Sequence, residues 1–320
     1  MQREIFIKGF VSCLITVLLI STEVLAFDKS ASYALSHYIM AGIHDARGET
    51  DKAIEQYKLA LRKDRENPAI HLNLAASYIK NNQIEDAIKE LELAVKFDPE
   101  SVEPHAILAL LYTSQNNLEQ AAREYETALT KAAKLAPGNV GIYKSLGAVY
   151  LSQKKFQEAK ETYQLILDLA PEDAQAHFYL AAAFDKSGDK EKAEGELKTA
   201  IELDPENHAA LNYLGYLYVE ENKNLEEAAI LIGKAIELDP DNGAYIDSLG
   251  WLYFKQGKIA QALLKLKDAG SLLADPVIYD HLGDAYFKSG NLDAARKNWQ
   301  ESLNLDPQQD SVKEKLKKDN

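Results

Sequence analysis

Two stretches decide the fold: Ala200-Ile-Glu-Leu-Asp-Pro-Glu-Asn207 and Ala235-Ile-Glu-Leu-Asp-Pro-Asp-Asn242. They are nearly identical and begin 35 residues apart. Self-similarity at such a spacing marks a repeat architecture, in which one small unit stacks on copies of itself. Extending the frame outward gives eight copies, at 34–67, 68–101, 102–139, 140–173, 174–207, 208–242, 243–275 and 276–309. Positions are numbered from 1 within each copy. Position 7 reads Met40, Leu74, Leu108, Leu146, Leu180, Leu214, Leu249 and Leu282. Position 8 is always small, from Ala41 to Gly283, and position 11 is aromatic in every copy but the first, which has His44. Position 20 is alanine throughout, position 24 is large and apolar from Tyr57 to Trp299, and six of the nine prolines fall at position 32.

Each choice has a physical reason. Positions 4, 7, 8 and 11 follow helical spacing and form one stripe of a first helix; 20, 24 and 27 do the same on a second. Small residues at 8 and 20 let the two helices approach where their ridges cross. Asn or Gly near position 15 (Asn82, Asn116, Gly188, Gly257, Gly290) marks the turn of the hairpin. Proline at 32 ends the second helix, because it cannot continue the hydrogen-bond ladder.

This pattern resembles the tetratricopeptide repeat family. The resemblance implies an all-α fold: a right-handed superhelical solenoid of eight helix-turn-helix units over 34–309. Segment 310–320, with Val312 and Leu316 four apart, is expected to add a short C-terminal capping helix or tail. Copy three carries four extra residues around Thr130–Ala133, enough to lengthen its second helix by about one turn. Copy six has one extra residue near Asn222–Asn224.

Upstream, Arg3 and Lys8 precede the apolar run Phe10–Ile20, and Val24-Leu25-Ala26 offers a small-residue exit. That run is shorter than the roughly 20 residues a membrane span needs. The pattern is that of a secretory signal peptide over 1–26, with 27–33 as a lead-in to the repeats. The expected location is outside the cytoplasm, in the periplasm or cell envelope of a bacterium. Membrane contact is expected only through this segment, if it is retained. The sole cysteine, Cys13, lies within it, which excludes a disulfide framework. Fifty acidic residues against 36 basic ones give a net charge of −14, which argues against a nucleic-acid partner.

Neither catalysis nor a cofactor is expected. His37, His71, His105 and His177 all fall at position 4. Equivalent atoms of stacked helices lie about 8–10 Å apart, too far to converge on one metal ion at about 2 Å. They read as partly buried aromatic substitutes, so no metal site is expected. No nucleophile, phosphate-loop or dinucleotide motif occurs, and the repeats leave no residual domain to house an active site.

The resemblance places positions 2, 5, 6, 9, 12 and 13 of each first helix on an inner groove. In the first four copies these are mostly small or aliphatic, such as Leu72, Ala76, Ile107 and Leu110. In the last four they are aromatic and acidic. The expected partner-binding residues are Phe178, Tyr179, Asn212, Tyr213, Tyr216, Asp247, Trp251, Phe254, Asp280 and Phe287. Tyr and Trp supply large, stiff contact area; Asp247 and Asp280 favour basic groups. The expectation is a non-catalytic protein-interaction scaffold for envelope assembly, binding a neutral-to-basic peptide or helix in that groove. The alternatives are an accessory subunit of an envelope enzyme complex, or a small-molecule or peptide sensor.

Overall fold

The computed structural model describes residues 29–318, and every regular element among them is an α-helix. The signal-segment assignment and the cleavage point after Ala26 lie outside the described residues. The chain divides into two compact units between Pro137 and Gly138. The N-terminal unit holds three hairpins: α1 Lys29–Ala46 with α2 Thr50–Leu61, α3 Pro68–Lys80 with α4 Ile84–Phe97, and α5 Glu103–Ser114 with α6 Leu118–Leu135. The C-terminal unit holds five more. These are α7 Val140–Ser152 with α8 Phe156–Leu169, α9 Ala174–Lys186 with α10 Lys190–Leu203, α11 His208–Glu220 with α12 Leu225–Leu238, α13 Gly243–Lys255 with α14 Ile259–Leu272, and α15 Pro276–Lys288 with α16 Leu292–Leu305. A final helix, α17, runs Asp310–Lys318.

The helix pairs follow the repeat frame. α1 begins ahead of it, so residues 29–33 of the supposed lead-in are helical and continuous with the first hairpin. The four-residue insertion in repeat 3 appears as added helix: α6 has 18 residues where α4 has 14, one turn more. The boundary between the two units falls just beyond this long helix.

The turn inside each hairpin is more uniform than its sequence. Position 15 is left-handed in all eight repeats: Gly48, Asn82, Asn116, Lys154, Gly188, Asn222, Gly257 and Gly290 all have positive φ. Glycine adopts this conformation without steric cost and asparagine at little cost, whereas lysine is strained there. Lys154, at φ 59°, is the exception among the eight. The extra residue of repeat 6 is absorbed in the same turn, where Asn224 is also left-handed.

Between repeats, proline at 32 stops one helix and the final residue of the repeat starts the next. The side chains of Asn67, Asn139, Asp173, Asn207, Asn242 and Asp275 accept hydrogen bonds from backbone N–H groups in the first turn of the following helix. Such caps satisfy donors that the helix itself leaves open.

The core of each hairpin turns on the contact between positions 8 and 24. A methyl group built on Gly283 would overlap Cδ1 and Nε1 of Trp299. Small residues at position 8 therefore make room for the large side chain opposite, beyond allowing the backbones to approach. The position-4 histidines also do more than fill space. His71, His105 and His177 each place Nδ1 2.6 Å from a carboxylate at position 23, namely Glu90, Glu124 and Glu196, and His37 does the same with the Gln56 side chain. Repeats with an aromatic or aliphatic residue at position 4 (Tyr143, Leu211, Ile246, Tyr279) have no acid at 23. No group of side chains among the described residues is arranged to hold a metal ion.

α17 closes the C-terminal unit. Val312 is fully buried against Ala295 and Trp299, and Leu316 packs beside them.

Candidate functional site

Neighbouring first helices touch through a recurring contact. Position 5 of one repeat meets position 6 of the next: Tyr38 with Asn73, Phe178 with Tyr213, Asp247 with His281. The stacking of hairpins thus lines up one face of successive first helices, and the chemistry of that face is set by these positions and by 9, 12 and 13.

In the C-terminal unit this face carries a connected aromatic cluster. Tyr179 stacks on Tyr163 at 5.4 Å, and Phe178 meets Tyr179 and Tyr213 edge-on. The Tyr213 hydroxyl donates to Asp185 Oδ2 at 2.7 Å. Trp251 is sandwiched between Phe254 at 4.6 Å and the His281 ring at 3.9 Å, both nearly parallel to it. Its indole N–H donates to Glu220 Oε1 at 2.6 Å. Tyr216 lies 6.5 Å from His281 and is half-buried.

Carboxylates surround this cluster. Burial pushes the Tyr216 hydroxyl pKa upward, and the charges of Glu220, Asp247, Asp185 and Asp280 push it further. These four acids come from repeats 5 to 8, one from each. Tyr213 is raised in the same way, first by burial and then by its bond to Asp185. Asn212 Oδ1 is buried within this face and has no hydrogen-bond partner. A buried acceptor without a donor costs about 1–3 kcal/mol.

Three expectations need correction. Trp251 is 7% exposed, because its neighbours cover both ring faces, so it is a wall of the site and not a free anchor. Asp247 is not free to meet a basic group of a partner: it is buried, with its carboxylate oxygens 3.0 and 3.1 Å from His281 Nδ1. Asp280 already has a cation of its own chain, since Lys315 of α17 donates to it at 2.6 Å and to Asp284 at 2.8 Å. Burial raises the Asp280 pKa in spite of that lysine. The reason is common to all three: the next repeat, or α17 acting in place of one, covers what a single hairpin would expose. Phe287 stays exposed and packs beside Trp299 of its own repeat.

Phe178, Tyr179, Asn212, Tyr213, Tyr216, Asp247, Trp251, Phe254 and Asp280 are thus brought onto one face. Sequence reading set His281 on the groove but left it out of the expected binding residues, and it overlooked Lys315. His281 falls at position 6, directly after Asp247 in the position-5-to-6 series, and that series would have flagged it. Lys315 occupies position 6 of a frame continued past residue 309, a signal hidden by the polar run around it.

A wide hollow of about 650 Å³ lies beside α8 in the C-terminal unit. Lys160 and Lys192 lie over the Phe184 ring there, and the flanking Glu161 and Asp168 leave it without a dominant charge.

Stacked helical hairpins whose aligned first helices carry the variable chemistry define a helical-repeat interaction protein. Residues 101–311 match the family model described as the cilia and flagella-associated protein 70 C-terminal domain, a tetratricopeptide-repeat model, and residues 46–111 match the tetratricopeptide repeat model. The chain belongs to the tetratricopeptide repeat family. Among solved structures, it is similar to a tetratricopeptide repeat protein from Parabacteroides merdae, with 16% identity over 79% of this chain and 98% of that one and a TM-score of 0.63. It is also similar to the Cut9–Hcn1 hetero-tetramer of the APC/C, with 16% identity over 89% of this chain and 69% of that one and a TM-score of 0.56. A thermophilic protein from Thermus thermophilus shares 21% identity over 57% of this chain and 98% of its own, with a TM-score of 0.51. At such identities the likeness is one of fold. No curated protein matches the sequence. Proteins of this fold are generally non-catalytic scaffolds for protein–protein interaction.

Proposed function

We propose that this protein is a non-catalytic scaffold that binds a neutral-to-basic protein segment on the first-helix face of repeats 5 to 8. The observation that carries this reading is the environment of Tyr216, a half-buried aromatic to which four consecutive repeats each contribute a nearby carboxylate. Asp247 and Asp280 already face His281 and Lys315 of the same chain. Asp185 and Glu220 accept from the neutral donors of Tyr213 and Trp251, with Lys186 3.7 Å from Asp185, and keep acceptor capacity for an approaching cation. An aromatic wall edged by carboxylates suits a lysine or arginine side chain, which gains cation–π attraction and charge pairing together.

The segment ending at Ala26 supports export to a bacterial envelope, where the scaffold would serve assembly of a complex. The signal-like pattern is the ground for that setting, and the intact mass of the exported protein tests it. A mature chain beginning at Phe27 is expected; a full-length chain held in the membrane fraction would support an anchor.

The binding reading is tested by crosslinking capture from the envelope of the producing cell, with the captured protein then titrated against folded variants. Tyr213→Ala with Tyr216→Ala should weaken binding by about 2 kcal/mol or more if these are hot spots. The same changes at Leu72 and Ile107 of the N-terminal unit should matter less. Affinity that survives the two tyrosine changes, with helicity intact by circular dichroism, would show that this face is not the binding surface.

A further inference from the structure

The first helix presents a stacking face with no described helix against it. In later repeats, position 10 of the first helix is buried by stacking at Ser77, Leu111, Ala183, Leu217, Leu252 and Ala285. Position 7 is equally buried, for example at Leu74, Leu180 and Leu282. In α1 the same positions are open: Met40 is 44% and Ile43 38% exposed, with Ile39 at 53% and Leu35 at 58% beside them. From Ser30 to His44 the helix has no Asp, Glu, Lys or Arg, in a chain of which 27% is charged. A terminal repeat that faced only water would be expected to carry a polar outer surface. α17, at the other end, has one: Asp310, Lys313, Glu314 and Lys317 lie on it, while Lys315 turns inward to Asp280 and Asp284.

We propose that the occupant of this face is the same face of a second copy of the chain, giving a two-fold dimer through α1. Three features select this partner. Leu35, Ile39 and Ile43 form one ridge at i, i+4 spacing, symmetric about Ile39. Two such ridges running antiparallel set Leu35 of each copy against Ile43 of the other, a self-complementary contact of the kind a two-fold axis requires. The ridge is uncharged, so it meets its own copy without local repulsion despite the net charge of −14. A head-to-tail contact is closed off, because α17 already covers the last repeat through Val312. One helix face per copy is smaller than the roughly 1,200–2,000 Å² of a standard stable interface, so the dimer is weak and depends on concentration.

The test is the mass of the purified protein by light scattering across a concentration series. A monomer–dimer equilibrium is expected, and added salt should strengthen it by screening the repulsion between two acidic chains. Ile39→Asp with Ile43→Asp should return the protein to monomer with helicity unchanged. Ile39→Cys should crosslink to itself across the axis under oxidation, while the parent chain, whose only cysteine is Cys13, serves as control. A protein that stays monomeric at the highest attainable concentration overturns the proposal. So does a dimer indifferent to the aspartates, or a monomer that instead sediments with neutral phosphatidylcholine vesicles through this face.

Discussion

The N-terminal and C-terminal units use one hairpin plan with different side chains at its variable positions. Repeats 1 to 3 have alanine at position 8 (Ala41, Ala75, Ala109) and a histidine bonded across the hairpin at position 4. Four of the five repeats in the C-terminal unit have glycine at position 8, three of those four also combine an aromatic or aliphatic residue at position 4 with aromatic and acidic residues on the first-helix face, and both tryptophans of the chain lie there. The comparison teaches where a repeat tolerates variation. The left-handed turn is held constant, the crossing varies only between alanine and glycine, and the larger changes fall on positions that face the neighbouring repeat.

The sharpest way to probe this contrast is at the crossing. Gly283→Ala in the C-terminal unit forces a methyl into the Trp299 ring and should cost about 1–3 kcal/mol or more, as overpacking does. Tryptophan fluorescence reports on that unit alone and reads the loss directly. The reverse change in the other unit, Ala109→Gly, should cost only about 0.5–1 kcal/mol of helix propensity. Equal penalties would mean that position 8 packs alike in both.

The two units should next separate by pH. Glu194 joins α10 to the following hairpin, accepting from Lys198, Tyr218 and Lys223. Burial works against its charge, but those hydrogen bonds hold its pKa down at about 2, from 4.5. A depressed carboxyl contributes stability above its unfolded value and loses it as pH falls. The C-terminal unit should therefore weaken between about pH 4.5 and 2, by roughly 2 kcal/mol, and Glu194→Gln should flatten that slope in fluorescence-monitored unfolding. In the N-terminal unit the sign reverses. Burial tends to lower the His71 pKa, but Glu90 and the Arg65 carbonyl outweigh it and the net shift is upward from 6.5. Its contribution is complete below about pH 6.5 and fades as pH rises through the folded value. Hydrogen exchange in α3 and α4 should accelerate with pH beyond its intrinsic dependence, and Glu90→Gln should remove that excess, at a cost of about 1 kcal/mol. A common pH response in both units would erase the contrast.

The smallest effect should be a gain. Lys154→Gly relieves the left-handed lysine in the α7–α8 turn and should stabilise the C-terminal unit by about 0.5–1 kcal/mol. The same change at Asn82, a residue that tolerates that conformation, should yield less.

The hairpins were legible in the sequence because their demands recur: a small residue at 8, Ala at 20 and Pro at 32 each answer to packing within one repeat, and Leu at 7 recurs because the same stacking neighbour does. What one repeat does to the next was less so. Trp251 falls on a position that looks free within its hairpin, and its burial depends on His281 arriving from the following one. The pairing of His71 with Glu90 was present as two columns, His at 4 beside Glu or Gln at 23, yet each column alone reads as ordinary. Lys154 gives no local sign of its backbone conformation, which follows only from the equivalence of all eight turns.

The position-5-to-6 contacts also bear on how such a chain avoids misfolding. Hairpins as alike as those containing Ala200–Asn207 and Ala235–Asn242 could stack out of order, one being looped out and the next taking its place, a characteristic hazard of repeat proteins. Four joints carry four different pairs: Tyr38 with Asn73, Phe178 with Tyr213, Asp247 with His281, Asp280 with Lys315. If repeat 7 were skipped, His281 would meet Asn212 in place of Asp247; if repeat 8 were skipped, Lys315 would meet Asp247 and leave His281 without its acid. The pairs act as an address at these joints, making the correct order of near-identical hairpins the one in which His281, Asp247, Asp280 and Lys315 each find a counterpart.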